Sequence, residues 1–254
     1  MNLREPIAAA LAVLAAALAV AACGSGDNDS EGSSDAGLPQ GSEPVDLNPA
    51  DFTTEIDNPY WPMAPGSRWV YRETDTEGTV QRVVVTVTRK TKKIANGVEA
   101  NVVHDEVTEN GEPVEVTDDW YAQDSDGNIW YLGEDTTEYE NGKPVSTAGS
   151  FEAGADGAQP GIILPADPEV GVTYRQEYYA GEAEDEGEIF SLDEQAEVPF
   201  GHFTGVLMTR DLNPLEPKVL EYKFYARDVG PVLAVSVSGG SDREELLSYT
   251  PGRG

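Results

Sequence analysis

The chain reads as all-β: a single antiparallel meander sheet curled into a barrel or half-barrel. Three observations predict it. Short runs of β-branched and aromatic residues recur from residue 68 to residue 249. Tight-turn dipeptides stand between them, and no stretch in this region shows the 3.6-residue apolar period of an amphipathic helix.

The runs are, in order, residues 68 to 72, 79 to 91, 99 to 108, 113 to 123, 128 to 132, 136 to 140, 172 to 179, 187 to 192, 202 to 211, 218 to 227, 232 to 238 and 244 to 249. Asn96-Gly97, Asn110-Gly111, Asp126-Gly127 and Asn141-Gly142 separate the early ones. Both residues of such a dipeptide tolerate the positive φ of a two-residue hairpin turn, so successive runs should pair as hairpins. A meander of a dozen strands twists too strongly to stay flat, and it relieves this by curling. Residues 51 to 250 are long enough to bury one core and are read as a single β domain.

Alternation along the runs assigns the faces. Val83, Val85 and Val87, then Val114, Val116 and Trp120, then Trp130 and Leu132, then Leu220, Tyr222 and Phe224 are expected to face the core. Asp118 shares the parity of Trp120 and should point inward, where a carboxylate needs a partner. Arg72, Arg82, Arg89, Arg175 and Arg210 are its candidate cations, while His104 should face water.

Three local features bear on chemistry. Asp124-Ser125-Asp126-Gly127-Asn128 places oxygens like a calcium loop, yet Ile129 stands where an EF-hand requires glycine. It therefore reads as a hairpin turn, with a surface calcium site as the minor alternative and no other cofactor expected. Trp120 and Trp130 flank that turn and could form a ligand platform, although aromatics at strand spacing more often pack across strands. Residues 148 to 171 mix glycine and proline with Phe151, Ile162, Ile163 and Leu164, without a period. A long irregular segment inside a compact domain suggests a plug or a lid, and in the lid reading Asp156 and Gln159 supply the polar contacts. Catalytic motifs are lacking: no Gly-x-Ser-x-Gly, no His-Glu-x-x-His and no phosphate loop occur, and His104 and His202 are the only imidazoles.

Ahead of the domain, residues 7 to 22 contain only Ile, Ala, Leu and Val. At about 1.5 Å per residue the run falls short of the roughly 30 Å hydrocarbon core, so residues 1 to 22 fit a cleaved signal peptide. Val20-Ala21-Ala22-Cys23 resembles the lipobox of bacterial lipoproteins, a likeness that implies a lipid on Cys23 and an extracytoplasmic, membrane-anchored protein. The n-region departs from the pattern, since Glu5 offsets Arg4. Residues 23 to 50 carry acids, Gly, Ser and Pro, with no Lys or Arg, and should form a disordered tether. The net charge is −31, which repels phosphate backbones and anionic head groups. Nucleic acid is excluded as a partner, and the membrane is reached through the lipid.

The segments Asp119-Trp120-Tyr121-Ala122-Gln123-Asp124, Gly127-Asn128-Ile129-Trp130-Tyr131-Leu132-Gly133-Glu134 and Glu152-Ala153-Gly154-Ala155-Asp156-Gly157-Ala158-Gln159-Pro160-Gly161-Ile162-Ile163 resemble an uncharacterised group of bacterial exported lipoproteins. The resemblance implies a secreted β domain and no activity. The function expected is that of a non-enzymatic envelope module binding a small or lipidic ligand, with Asp118, Trp120, Trp130, Asp156, Gln159 and Arg175 as candidate contacts. Two alternatives stay open: a hydrolase using paired carboxylates on envelope or environmental polymers, and a calcium- or salt-adapted surface protein.

Overall fold

A computed structural model describes residues 37–253; the expected signal peptide, Cys23 and the first part of the expected tether lie outside them. No helix in the described region is long and apolar enough to cross a membrane. Sixteen strands lie within the described residues. The first half comprises β1 (Phe52–Thr53), β2 (Arg68–Thr74), β3 (Val80–Lys93), β4 (Glu99–Glu109), β5 (Glu112–Asp124), β6 (Ile129–Glu140), β7 (Lys143–Ser146) and β8 (Phe151–Glu152). The second comprises β9 (Gln159–Leu164), β10 (Thr173–Arg175), β11 (Glu177–Tyr178), β12 (Glu186–Val198), β13 (Gly201–Leu212), β14 (Leu220–Ala226), β15 (Gly230–Ser238) and β16 (Arg243–Thr250).

The order β10-β12-β13-β14-β15-β16-β2-β3-β4-β5-β6-β9-β11 makes one antiparallel sheet that nearly closes into a barrel. The seam is a single segment with two partners. Its lower half, β10, pairs β12 through Tyr174↔Gly187, and its upper half, β11, pairs β9 through Glu177↔Pro160. Turn chemistry follows the sequence: Asn110 and Gly111, and Asn141 and Gly142, both hold positive φ at the β4–β5 and β6–β7 hairpins.

Residues 143 to 164 take in most of the irregular segment read as a plug or a lid, and they are sheet. They run back along β6 as a broken strand, β7 opposite Glu138 to Glu140, β8 opposite Gly133 and Glu134, and β9 opposite Ile129 to Tyr131. Glycine and proline interrupt the strand without removing it, and this hid the element. Gly133 permits the approach: its φ is +129°, and a Cβ there would collide with the Phe151 carbonyl. The same residue lets the two runs at 128 to 132 and 136 to 140 become one bent strand.

Register decides which face is inside. Val83↔Val107↔Glu115 and Val85↔Asp105↔Thr117 put those residues on one face. Trp61 touches Tyr121 on β5 (5.6 Å) and Tyr225 on β14 (6.1 Å), strands far apart in the sheet, so the face carrying both tyrosines is the lumen. Val83, Val85 and Val87 face inward as expected. Val114, Val116, Trp120, Tyr222 and Phe224 do not: their neighbours Glu115, Thr117, Asp119, Tyr121, Lys223 and Tyr225 take the lumen.

The core occupies one end of the barrel. Trp69, Tyr121, Ile129, Leu164, Leu207 and Tyr225 are buried there, and the segment 54 to 66 crosses beneath them with Ile56, Tyr60 and Met63. Asn58 anchors that crossing, its N–H donating to Gln123 Oε1 (3.0 Å) and its Nδ2 to the Gly127 carbonyl (3.2 Å). Each such fully buried large side chain contributes about 1.5–3 kcal/mol. At the opposite end the strands finish in Glu73, Glu109, Glu112 and Glu138, which stay accessible to water.

Candidate functional site

The acids of the inner face make the candidate site. Alternation sends Glu73 from β2, Asp105 from β4, Glu115 and Asp119 from β5, and Glu134 from β6 into the lumen. Asp211, Glu221 and Glu244 come from β13, β14 and β16 by the same rule. Their order follows from register alone: Asp105 and Thr117 are partners, as are Asp119 and Glu134, and Glu244 and Glu73.

Two clusters organise this wall. In the first, the Tyr131 hydroxyl lies 2.8 Å from Asp119 Oδ1 and 3.0 Å from Glu134 Oε2. A phenol carries one hydrogen, so it donates to one carboxylate and accepts from the other only when that acid is protonated. The environment supplies the proton. Burial, with Asp118 adding repulsion, pushes Asp119 to about 7, although the Tyr131 hydrogen bond opposes the shift. Burial and the Asp119 charge push Glu134 to about 8.

The second cluster surrounds Lys223, the one basic side chain facing the lumen among the described residues. Its Nζ lies 2.9 Å from Asp211 and 3.4 Å from Glu221, and the side chain keeps 33% of its surface exposed. Burial opposes the ammonium charge, yet Asp211 and Glu221 hold it well above the ordinary lysine value. Asp211 is also reached by Thr209 Oγ1 (2.6 Å) and Gln176 Nε2 (3.3 Å). Burial pushes Asp185 to about 7 despite the nearby Lys223, and burial with repulsion from Asp185 and Glu134 raises Glu177 well above the ordinary glutamate value. Glu177 also lines an external cleft of about 330 Å³ at the seam, together with Arg175 and Tyr178.

The six residues singled out from the sequence lie elsewhere and do not converge. Asp118 is the principal correction: it faces outward, bonded to His104 Nδ1 at 2.7 Å, with both side chains about 40% exposed. Its inward-facing neighbour is Asp119. Trp120 is buried on the outer face beneath Lys92, whose Nζ sits 3.2 Å from the ring centroid and 2.9 Å from Glu152. Trp130 donates its Nε1–H to Asp124 Oδ2 (2.7 Å) and meets the edge of Phe52. Asp156 occupies the turn between β8 and β9 with φ of 50°. Gln159 Oε1 accepts from the Val45 N–H at 3.2 Å.

Arg175 is a clamp. Its guanidinium donates to the carbonyls of Pro160 (2.7 and 3.1 Å), Gly41 (2.8 Å) and Glu43 (2.7 Å). These bonds, with Gln40 Nε2 donating to the Thr173 carbonyl (2.6 Å), fasten residues 37 to 47 to the barrel seam. Gln40, Gly41, Glu43 and Val45, in the later part of the expected tether, are thus hydrogen-bonded to the barrel, and the buried guanidinium gains the carbonyls it needs. The 124–128 segment is a hairpin turn whose Asp124 carboxylate accepts from Asp126 N, Asn128 N, Asn128 Nδ2 and Trp130 Nε1. Among the described residues no three acidic or imidazole groups meet in a metal-holding arrangement.

Sequence reasoning missed the lumenal acids because it took apolar parity for inward parity. A signal was available: Asp105, Glu115 and Asp119 share the parity of Val103, Val107 and Tyr121, so either choice of face buries charge.

Fold and site together define a class: a nearly closed antiparallel barrel with an apolar floor and an acidic, water-accessible mouth. Its outer face carries mid-strand ion pairs, Arg72–Glu245 (2.6 Å) and Arg210–Glu188, where a lipid-facing barrel has an apolar band. No family model and no curated protein matches the chain. Among solved structures it is similar to a predicted exported protein with a YmcC-like fold from Bacteroides fragilis, at 14% identity and a TM-score of 0.46, over 75% of this chain and 98% of the other. It is also similar to a predicted lipoprotein from Parabacteroides distasonis, at 13% identity and a TM-score of 0.41, over 75% and 98% of the two chains.

Proposed function

We propose that the protein is a lipid-anchored module of the cell envelope that binds a small polar ligand in the mouth of its barrel and catalyses no reaction. The observation that carries this reading is the inner wall, where carboxyls from seven strands, β2, β4, β5, β6, β13, β14 and β16, face Lys223 as their one basic side chain among the described residues. An acyl chain is a poor occupant, because it would strip water from these groups and return no hydrogen bond. The signal-like residues 1 to 22 and the lipobox-like Val20–Cys23 support the envelope location.

Ala234 gives a test that presumes no ligand. It stands in register between Lys223 and Glu244, so Ala234→Trp would fill the lumen without altering its charge. Native mass spectrometry of protein purified from its own host should find a bound small molecule in the wild type and none in a folded Ala234→Trp variant. A wild type with nothing bound, and with no compound raising its melting temperature, would refute the proposal. Cys23→Ala should move the folded protein from the membrane fraction to the soluble fraction; retention would point to another anchor.

A second reading has one specific observation behind it. Asp119 and Glu134, at about 7 and about 8, are acids whose protons are available at neutral pH, as hydrolysis by paired carboxyls requires. The Tyr131 hydroxyl bridges them, occupying the space where the substrate oxygen would stand. Turnover of an envelope glycan that disappears in Asp119→Asn would replace the binding reading with this one.

A further inference from the structure

We infer that the lumen takes an organic oligoammonium ligand, a linear polyamine in chemical class, which provides the counter-charge that the barrel wall lacks. The inference rests on the lumen being the ligand site and adds the identity of what enters it.

The first support is charge. Glu73, Asp105, Glu115, Glu134, Glu221 and Glu244 project inward from β2, β4, β5, β6, β14 and β16. Lys223 is already committed to Asp211 and Glu221. Carboxyls crowded in this way need protons or an external cation.

The second support is independent of the acids. Tyr174 is completely buried, and its hydroxyl has no hydrogen-bond partner. Its ring shares a face with Gly187 and Asp211, so the hydroxyl is directed at the Lys223 cluster, whose charges act on it. Asp105 Oδ1 and Asp185 Oδ1 are likewise buried without partners. Unsatisfied buried polar atoms are rare in native proteins, and these three sit among the inward-facing charges, Tyr174 and Asp185 near Lys223 and Asp105 near Glu244. An ammonium group, with several N–H donors, suits carboxylate and phenol oxygens alike.

Two details select the class. A compact divalent cation needs about six to eight oxygens around one point, and the described acids converge nowhere in that way. They stand instead on neighbouring strands, with ladder partners about 4.5–5.5 Å apart at Cβ, a spacing on which ammonium groups joined by methylene linkers can repeat. Below them the floor is aromatic: Tyr121 and Tyr131 stack at 5.0 Å, and Trp61 spans to Tyr225. Ring faces accept both methylenes and cations.

Isothermal titration of the full-length protein with spermidine, at low salt and pH 7.5, tests the inference. Saturable binding is expected, weakened about tenfold or more by Asp105→Asn with Glu244→Gln, and left within about twofold by the outer-face variant Asp118→Asn. If the double variant does not fold, Tyr174→Phe, which removes only the unpartnered hydroxyl, should still weaken binding several-fold. Equal losses in Asp118→Asn and the lumenal variants, or magnesium binding as tightly as spermidine at matched ionic strength, would overturn the inference. A co-purified ligand that Ala234→Trp excludes, combined with no spermidine binding, would overturn the ligand class and leave the lumen as the site. Loss of both would end both readings.

Discussion

Replacing Glu115 with glutamine isolates the cost of the acidic lumen. Glu115 makes no hydrogen bond or ion pair to lose; burial, with repulsion from Glu138, Asp119 and Glu73, raises its carboxyl from 4.5 to about 7. From pH 4.5 to 7 the folded protein holds a proton that the unfolded chain has released. Stability therefore falls as pH rises through that interval and is level above it. The shift corresponds to about 3 kcal/mol, and because the mouth is open to water we expect about 1–2 kcal/mol to be recovered by Glu115→Gln at pH 8. At pH 4.5 the side chain is already neutral in the fold, and the variant should lie within about 0.5 kcal/mol of wild type. Urea denaturation of both proteins at pH 4.5 and pH 8 reads the difference directly. A Glu115→Gln gain that is the same at both pH values, or a loss at pH 8, would refute the argument that this carboxyl is strained by its surroundings.

Other substitutions probe separate parts of the structure. Lys223→Met removes the cation from Asp211 and Glu221 and should cost about 2 kcal/mol at pH 8, and less as the pH falls, because burial makes Glu221 take up a proton more readily than a free glutamate; denaturation curves across the pH range would show it. Gly133→Ala places a Cβ against the Phe151 carbonyl at a φ of +129°, and should lower stability by about 2 kcal/mol or more, checked by thermal melting. Arg175→Leu leaves the Pro160, Gly41 and Glu43 carbonyls without their donor, so residues 37 to 47 should exchange amide hydrogens much faster while the β3–β4 hairpin does not change.

Much of the strand map was legible beforehand. Runs such as 79 to 91 and 202 to 211 became β3 and β13 with ends shifted by a residue or two, because β-branched residues and Asn-Gly turns act locally. The broken strand from Lys143 to Leu164 was not legible, since Gly149, Gly154, Gly157 and Pro160 erase its period while the sheet still hydrogen-bonds its fragments. The site was less legible than the fold. Asp118 and Asp119 are adjacent in sequence and opposite in fate, one paired with His104 in water and the other against Tyr131 in the lumen.

The sequence by itself determined the β class, the hairpin turns, the strong negative charge and the signal-like start, all properties of composition or of a few neighbouring residues. The tertiary structure alone decided which face is inside. A strand such as β5 offers Val114, Val116 and Trp120 on one side and Glu115, Thr117 and Tyr121 on the other, and neither side is purely apolar. Only closure of the sheet, fixed by register through β4 and by Trp61 bridging Tyr121 and Tyr225, turned the acids inward. Curvature is a property of all the strands together, so no single strand could carry that information.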